Sequence, residues 1–208
     1  MAGAHDFHRY PVFLPFPVEQ GRITPAAHWR STWVVASLQT LRELGHFARY
    51  ERHLPAVHRD AVLLAVAGVW LPMPVARAHY EACQALGLDE GAVLAMGLRS
   101  GERAQGTVLK TAVRMARGVG ASPWTVFPQL NRLWERGADG GAAAVYEVGP
   151  KEAVVHTVGC ELFDVPYFRL AFAGVMRGVV QLFSSRAYLH DVTAPAWRGE
   201  CALRVQWV

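Results

Sequence analysis

From Thr32 onward apolar residues recur at helical spacing: Val34, Val35, Leu38, Leu41 and Leu44, with Gly45 as a stop. A second segment, His46 to Leu54, continues this helix after a bend and closes at Pro55. The stretch His58 to Trp70 is apolar on most faces, which predicts a helix set deep in the core and ended by Pro72. Pro74 suits the first turn of the next helix, whose Val75, Ala78, His79, Ala82, Cys83 and Leu86 share a face before Gly87. Asp89 caps a further stretch, in which Val93, Leu94, Met96, Leu98, Val108, Leu109, Val113 and Met115 predict helices broken near Ser100-Gly101 or Gly106. Ser122 and Pro123 read as cap and first residue of a helix carrying Phe127, Leu130 and Trp134, with Pro128 as a kink and Gly137 as its end.

After Gly140-Gly141 the period changes. Ala142–Val148 and Lys151–Val158 flank a Gly149-Pro150 turn and read as a hairpin. Asp164 caps an amphipathic helix to about Phe183, with an apolar stripe of Val165, Phe168, Phe172, Val175, Val179 and Leu182. Tyr188–Thr193 and Cys201–Val208 form a second hairpin, the last strand alternating Cys201, Leu203, Val205 and Trp207 with Ala202, Arg204 and Gln206. The predicted class is α+β: a helical half, residues 31–137, followed by a hairpin, helix and hairpin, 138–208, forming a four-stranded antiparallel sheet. Residues 1–30, with Pro11, Pro15, Pro17 and Pro25 among aromatic side chains, predict an extended arm lying on the same domain or on a second subunit.

Composition narrows the function classes. With 52% hydrophobic and 18% charged residues in 208, the chain is globular and has enough apolar material for a core. The net charge is +4, but the 21 basic residues are all arginine except Lys110 and Lys151 and are scattered, so no nucleic-acid face is expected. Cys83, Cys160 and Cys201 are too sparse for a disulfide framework and form no C-x-x-C pair, so reduced thiols and a cytoplasmic location are expected. Asp6 and two histidines interrupt any signal-peptide pattern. The longest uncharged run, residues 61–76, contains two prolines and falls short of the ~20 apolar residues of a membrane span.

No sequence motif carries a reaction: there is no G-x-G-x-x-G after a strand, no Walker sequence and no G-x-S-x-G elbow. His79 and Cys83, four apart on one helix, have the spacing of an imidazole–thiol pair, but nothing nearby supplies an oxyanion site, and packing in the core is the favoured account of both. His5 and His8, or His46, His53 and His58, are too loosely grouped for a metal site. Gly174-x-x-x-Gly178 lets another backbone or a flat ligand approach closely. Trp70, Trp124 and Phe127 in the helical half, and Phe168 and Phe172 on the later helix, are aromatic residues of the kind that line pockets as well as cores. The candidate ligand-binding set is therefore Trp70, His79, Cys83, Trp124, Phe127, Phe168, Phe172, Gly174 and Gly178, with no catalytic residue and no cofactor assigned.

The segments LNRLWERG at 130–137, YFRLAFAGVMRGVVQ at 167–181 and WRGECALRVQW at 197–207 resemble a myxobacterial family of uncharacterised proteins. More distantly, the order of helices, then hairpin, helix and hairpin, is similar to vinyl-reductase-like ligand-binding domains, haem nitric-oxide-binding domains and Bet3-type subunits of Golgi transport complexes. The resemblance implies a shell that encloses a small apolar ligand or presents a surface to a protein partner, and it implies no reaction. The vinyl-reductase-like pattern has a cysteine pair around the closing strands, of which Cys201 matches one position and AYLHDVTAP lacks the other. The haem proteins use a helical proximal histidine, and ARAHYEAC around His79 departs from their motif. The leading expectation is a non-catalytic, sensory small-molecule-binding or adaptor domain. The alternatives are a haem sensor or thiol enzyme using His79 and Cys83, and a homodimeric assembly subunit.

Overall fold

The computed structural model describes residues 7–117 and 121–208, and the side chains of these except 105–117. His5, and the side chains of Val108, Leu109, Val113 and Met115, therefore lie outside the described residues. The strands are β1 (Val12–Leu14), β2 (His28–Arg30), β3 (Trp70–Pro72), β4 (Ala142–Gly149), β5 (Glu152–Val158), β6 (Ala187–Asp191) and β7 (Cys201–Trp207). The α-helices are α1 (Ser31–Glu43), α2 (Phe47–His53), α3 (Ala56–Leu63), α4 (Met73–Gln84), α5 (Glu90–Arg117), α6 (Pro123–Val126), α7 (Leu130–Trp134) and α8 (Pro166–Gln181). Helices dominate the first half and the hairpin, helix and hairpin follow, so the α+β class holds.

The main sheet has five strands rather than four, in the antiparallel order β1-β4-β5-β7-β6. The added strand comes from the proline-rich arm, whose Val12–Leu14 pairs with β4 at Tyr146 and Val145. An edge strand needs hydrogen bonds on one side only, which is why a proline-flanked segment can serve as one. A second, two-stranded sheet, β2 with β3, has no counterpart in the sequence reading.

Both faces of the main sheet are covered, which explains the near-continuous burial of β4 and β5. One face, with Val145, Val155, Leu203 and Val205, packs into the helical core. The other, with Ala144, Val154 and Ala202, lies beneath the arm, where Phe7, Phe16 and Trp197 surround the buried His156 ring. His156 Nε2 is 2.8 Å from Glu200 Oε2, and the Trp197 ring stacks on the imidazole at 4.9 Å. Deleting residues 1–16 is therefore expected to expose this face and the edge of β4, lowering the thermal midpoint and promoting aggregation. Differential scanning fluorimetry checks this, and an unchanged midpoint would mean that the arm contributes nothing to the fold.

Three more expectations need correction. The segment 58–70 is not a deep helix: α3 ends at Leu63, and Leu64 (77% exposed), Val66 (70%), Val69 and Trp70 lie on the surface. A wholly apolar run reports hydrophobicity but not which of its faces finds a partner. Helix α5 runs unbroken through Ser100, Gly101 and Gly106, and Gly101 serves its packing on α8 rather than a turn. Asp164 does not cap α8, whose cap position is Val165; its Oδ1 accepts a hydrogen bond from Gly199 N instead. By contrast, Asp89 Oδ1 accepts from Ala92 N at the start of α5, and Ser122 and Thr125 form a capping box on α6. Pro128 splits the helix that follows: α6 passes through a 3-10 turn at Phe127–Gln129 into α7.

Candidate functional site

The helical layer and α8 enclose a cavity of about 900 Å³. Its walls come from β2 and α1 (Trp29, Arg30, Trp33, Ser37), α4 (Tyr80), α5 (Gly97, Ser100), α6 (Val126), α7 (Leu130, Arg132, Trp134) and a long face of α8. That α8 face carries Phe168, Phe172, Val175, Val179 and Leu182, the apolar stripe predicted for this helix apart from Val165. Helix α8 presents its Gly174 to α5, so the stripe is left partly free to border open space.

The close crossing of α5 and α8 holds this wall in place. A Cβ on Gly97 would lie 2.0 Å from Ala171 O, and one on Gly174 would lie 2.3 Å from Leu94 O. Gly174 and Gly178 thus meet α5 (Gly178 facing Leu98 Cδ1) and do not line the cavity. At the opposite wall, Asn131 ties α7 to β4: its Nδ2 donates to Ala143 O, and its Oδ1 accepts from Ala143 N. Trp134 Nε1 donates to Gly140 O, which fixes the indole against Phe163 and Phe172.

Several polar groups of the inner wall are paired within the protein. Trp29 Nε1 donates to Tyr80 Oη (3.2 Å), Tyr167 Oη donates to Met96 Sδ (3.7 Å), and Ser100 Oγ donates to Thr40 Oγ1 (3.2 Å). Burial raises the Tyr80 and Tyr167 phenols well above their ordinary value, so both remain protonated. What faces the space is mostly hydrocarbon and aromatic surface. Thr32, Thr125, Gln129 and three arginines, Arg30, Arg132 and Arg136, also belong to the lining, and no aspartate or glutamate among the described residues does.

Of the residues singled out from sequence, Phe168 and Phe172 line the cavity. Trp70 lies outside it, half-exposed beneath the Arg30 guanidinium at 4.0 Å. Trp124 and Phe127 pack against Trp207 on the far side of α6, and Trp124 Nε1 donates to Pro150 O. His79 and Cys83 come together, with Sγ 3.9 Å from Nε2, one layer behind the cavity wall. His79 is fully buried: Nδ1 is 2.7 Å from Tyr50 Oη and Nε2 is 3.0 Å from Ser37 Oγ, so both ring nitrogens are engaged. Burial lowers the imidazole to about 3 and pushes the Cys83 thiol up to about 12. Both shifts favour the neutral forms and oppose a thiolate–imidazolium pair. Cys201 is buried and its thiol is likewise raised. Among the described residues no three histidine, cysteine or acidic side chains gather as a metal site, and no helix is long and apolar enough to cross a membrane.

Sequence reasoning missed Trp29, Trp33, Tyr80, Tyr167 and the arginines. Trp29 stood in the arm, and Tyr80 follows His79 on the helix without belonging to the expected apolar face. The β2–β3 pairing and a bridge from Trp29 to Ala138, neither of which has a local signal, bring Trp29 to the cavity.

No protein-family model matches the chain, and no curated protein matches it. Its fold does match solved structures. It is similar to an oxygen-binding H-NOX domain related to soluble guanylate cyclases, with a TM-score of 0.54 at 13% identity over 86% of this chain and 94% of that one. A point mutant of the T. tengcongensis H-NOX gives 0.55 at 13%, covering 86% and 97%. A Cs H-NOX mutant carrying 4-cyano-L-phenylalanine gives 0.55 at 14%, covering 86% and 96%. At such identities the likeness establishes the fold. Of the families that the sequence resembles, the haem nitric-oxide-binding domains are those whose architecture these comparisons return.

Proposed function

We propose that the chain is a non-catalytic, sensory small-molecule-binding domain with an H-NOX-like fold, and that its ligand occupies the cavity between α1, α5, α7 and α8. The observation that carries this reading is the cavity itself. At about 900 Å³ it is within the size range of ligand pockets, its lining is mainly apolar, and Tyr80, Tyr167 and Ser100 have their hydroxyls paired internally, so an apolar body strands few polar groups on entering. A solvatochromic apolar dye is expected to bind one per chain and to quench Trp29, Trp33 and Trp134. Val179→Trp, which fills the cavity, should abolish this while far-UV circular dichroism stays unchanged. Equal dye binding by the variant would place the ligand elsewhere.

A second reading is favoured by the fold likeness, which supports the haem-sensor alternative more than an adaptor role: the similar solved domains include an oxygen-binding one and others studied for haem distortion. The donor set does not fit a haem held by the protein in the usual way. Haem iron takes histidine, thiolate, methionine paired with histidine, or tyrosinate. Among the described residues no histidine or cysteine lines the cavity, its tyrosines are held protonated, and the α5 sequence contains neither histidine nor cysteine. For His79 to serve, it would have to leave Tyr50 and Ser37. The two readings separate in an absorption spectrum after haemin is added and the protein desalted. The cavity as it stands predicts a spectrum that is the same for wild type and His79→Ala, whereas a Soret band abolished by His79→Ala would establish the haem reading.

A further inference from the structure

We propose that the cavity takes a molecule with an apolar body and a carboxylate, bound without iron ligation, its acid group held at the rim by Arg132 and Arg136. This rests on the ligand-binding reading above and names the chemical class of the ligand.

The lining is divided by depth. Tyr80, Tyr167, Phe168 and Met176 are buried, whereas Arg132 and Arg136 are exposed at the solvent side. Arg30 is largely committed, with Nη1 donating to Gly68 O and its guanidinium stacked on Trp70. Arg132 donates to the neutral amide oxygen of Gln129, and Arg136 forms no ion pair among the described residues. Arg132 lies on α7 and Arg136 in the turn two residues past its end, and Glu135 between them is not part of the lining. A rim with two guanidinium groups and no carboxylate among the described residues, above a low-dielectric cavity, attracts an anion. A mainly apolar inner wall accepts a hydrocarbon or aromatic body. One molecule satisfies both requirements when the two parts are joined, as in a long-chain fatty acid or a metal-free porphyrin.

The test uses the full chain and the fluorescent probe 11-(dansylamino)undecanoic acid, displaced in turn by oleic acid, methyl oleate, protoporphyrin IX and haemin. Oleic acid is expected to bind more tightly than its methyl ester, and Arg132→Gln/Arg136→Gln to weaken the acid about tenfold while leaving the ester unchanged. Added salt should weaken the acid and spare the ester. The relative strength of oleic acid and protoporphyrin IX then tells chain from ring. Acid and ester binding equally, or a double variant with unaltered preference, would overturn this inference and leave the ligand-binding reading standing. Haemin binding far more tightly than protoporphyrin IX would overturn the absence of iron ligation. If no compound displaces the probe in the wild type, or if Val179→Trp binds as well as the wild type, the ligand-binding reading itself fails.

Discussion

Gly97→Ala is expected to destabilise the protein by about 3 kcal/mol, the upper part of the range for overpacking a core. Exposed glycine-to-alanine changes within helices usually do the opposite, gaining up to about 1 kcal/mol of helix propensity. Here the added methyl would meet backbone rather than a yielding side chain: Ala171 O at 2.0 Å, Ala171 C at 2.7 Å and Ala171 Cα at 2.8 Å. Relief requires α5 and α8 to separate, and that separation would also move the α8 wall of the cavity. Gly101→Ala is the control, because its new Cβ would meet Val175 side-chain carbons at 3.2 and 3.3 Å, where a small shift suffices. Urea unfolding of the three proteins measures the difference. A Gly97→Ala midpoint at or above that of wild type would show that the helices do not cross as closely as described.

The second large effect is acid lability between pH 7 and pH 5. His79 is lowered to about 3 by burial, and His156 to about 4, first by burial and then by the neighbouring His8. In the unfolded chain both take up a proton near pH 6.5, while in the folded chain both stay neutral until well below that. The unfolded state therefore binds more protons across this window, and stability falls as the pH falls. At pH 5 each histidine costs about 2 kcal/mol relative to neutral pH, and the loss continues toward their folded values. Glu200, raised by burial beside His156, works in the opposite direction, so His79 provides the cleaner signal. Ordinary carboxylates titrate lower and add little in this range. Urea midpoints at pH 7 and pH 5 should differ strongly in the wild type. Equal midpoints would mean that these rings are solvated or charged in the folded state.

Much of the secondary structure was legible because its signals are local. The 3.6 period of α1, α4 and α8, the Ser122-Pro123 start, the Gly149-Pro150 turn and the alternation of β7 each lie within a short window. What escaped depends on contacts far apart in sequence. Val12–Leu14 becomes a strand only because β4 offers it an edge, and His28–Arg30 only because Trp70–Pro72 lies alongside. Residues 64–70 looked like core because hydrophobicity is visible in a sequence whereas the absence of a partner is not. The site was partly legible for the same reason. The α8 stripe gave Phe168 and Phe172, but a stripe does not say whether it faces packed atoms or open space. His79 stood out chemically, yet its role in the structure is to join Tyr50 and Ser37 behind the wall. Gly174 stood out as a place of close approach, and what approaches it is the backbone of α5.

Native mass spectrometry of the protein purified without added ligand, run beside Val179→Trp, tests most directly whether the space between α7 and α8 is a binding site. The expected result is a wild-type population carrying one retained small molecule, or acquiring one on incubation with oleic acid, and a variant at the bare chain mass under the same conditions. A wild type that stays at the bare chain mass in both states, or a variant that carries the same adduct, would contradict it.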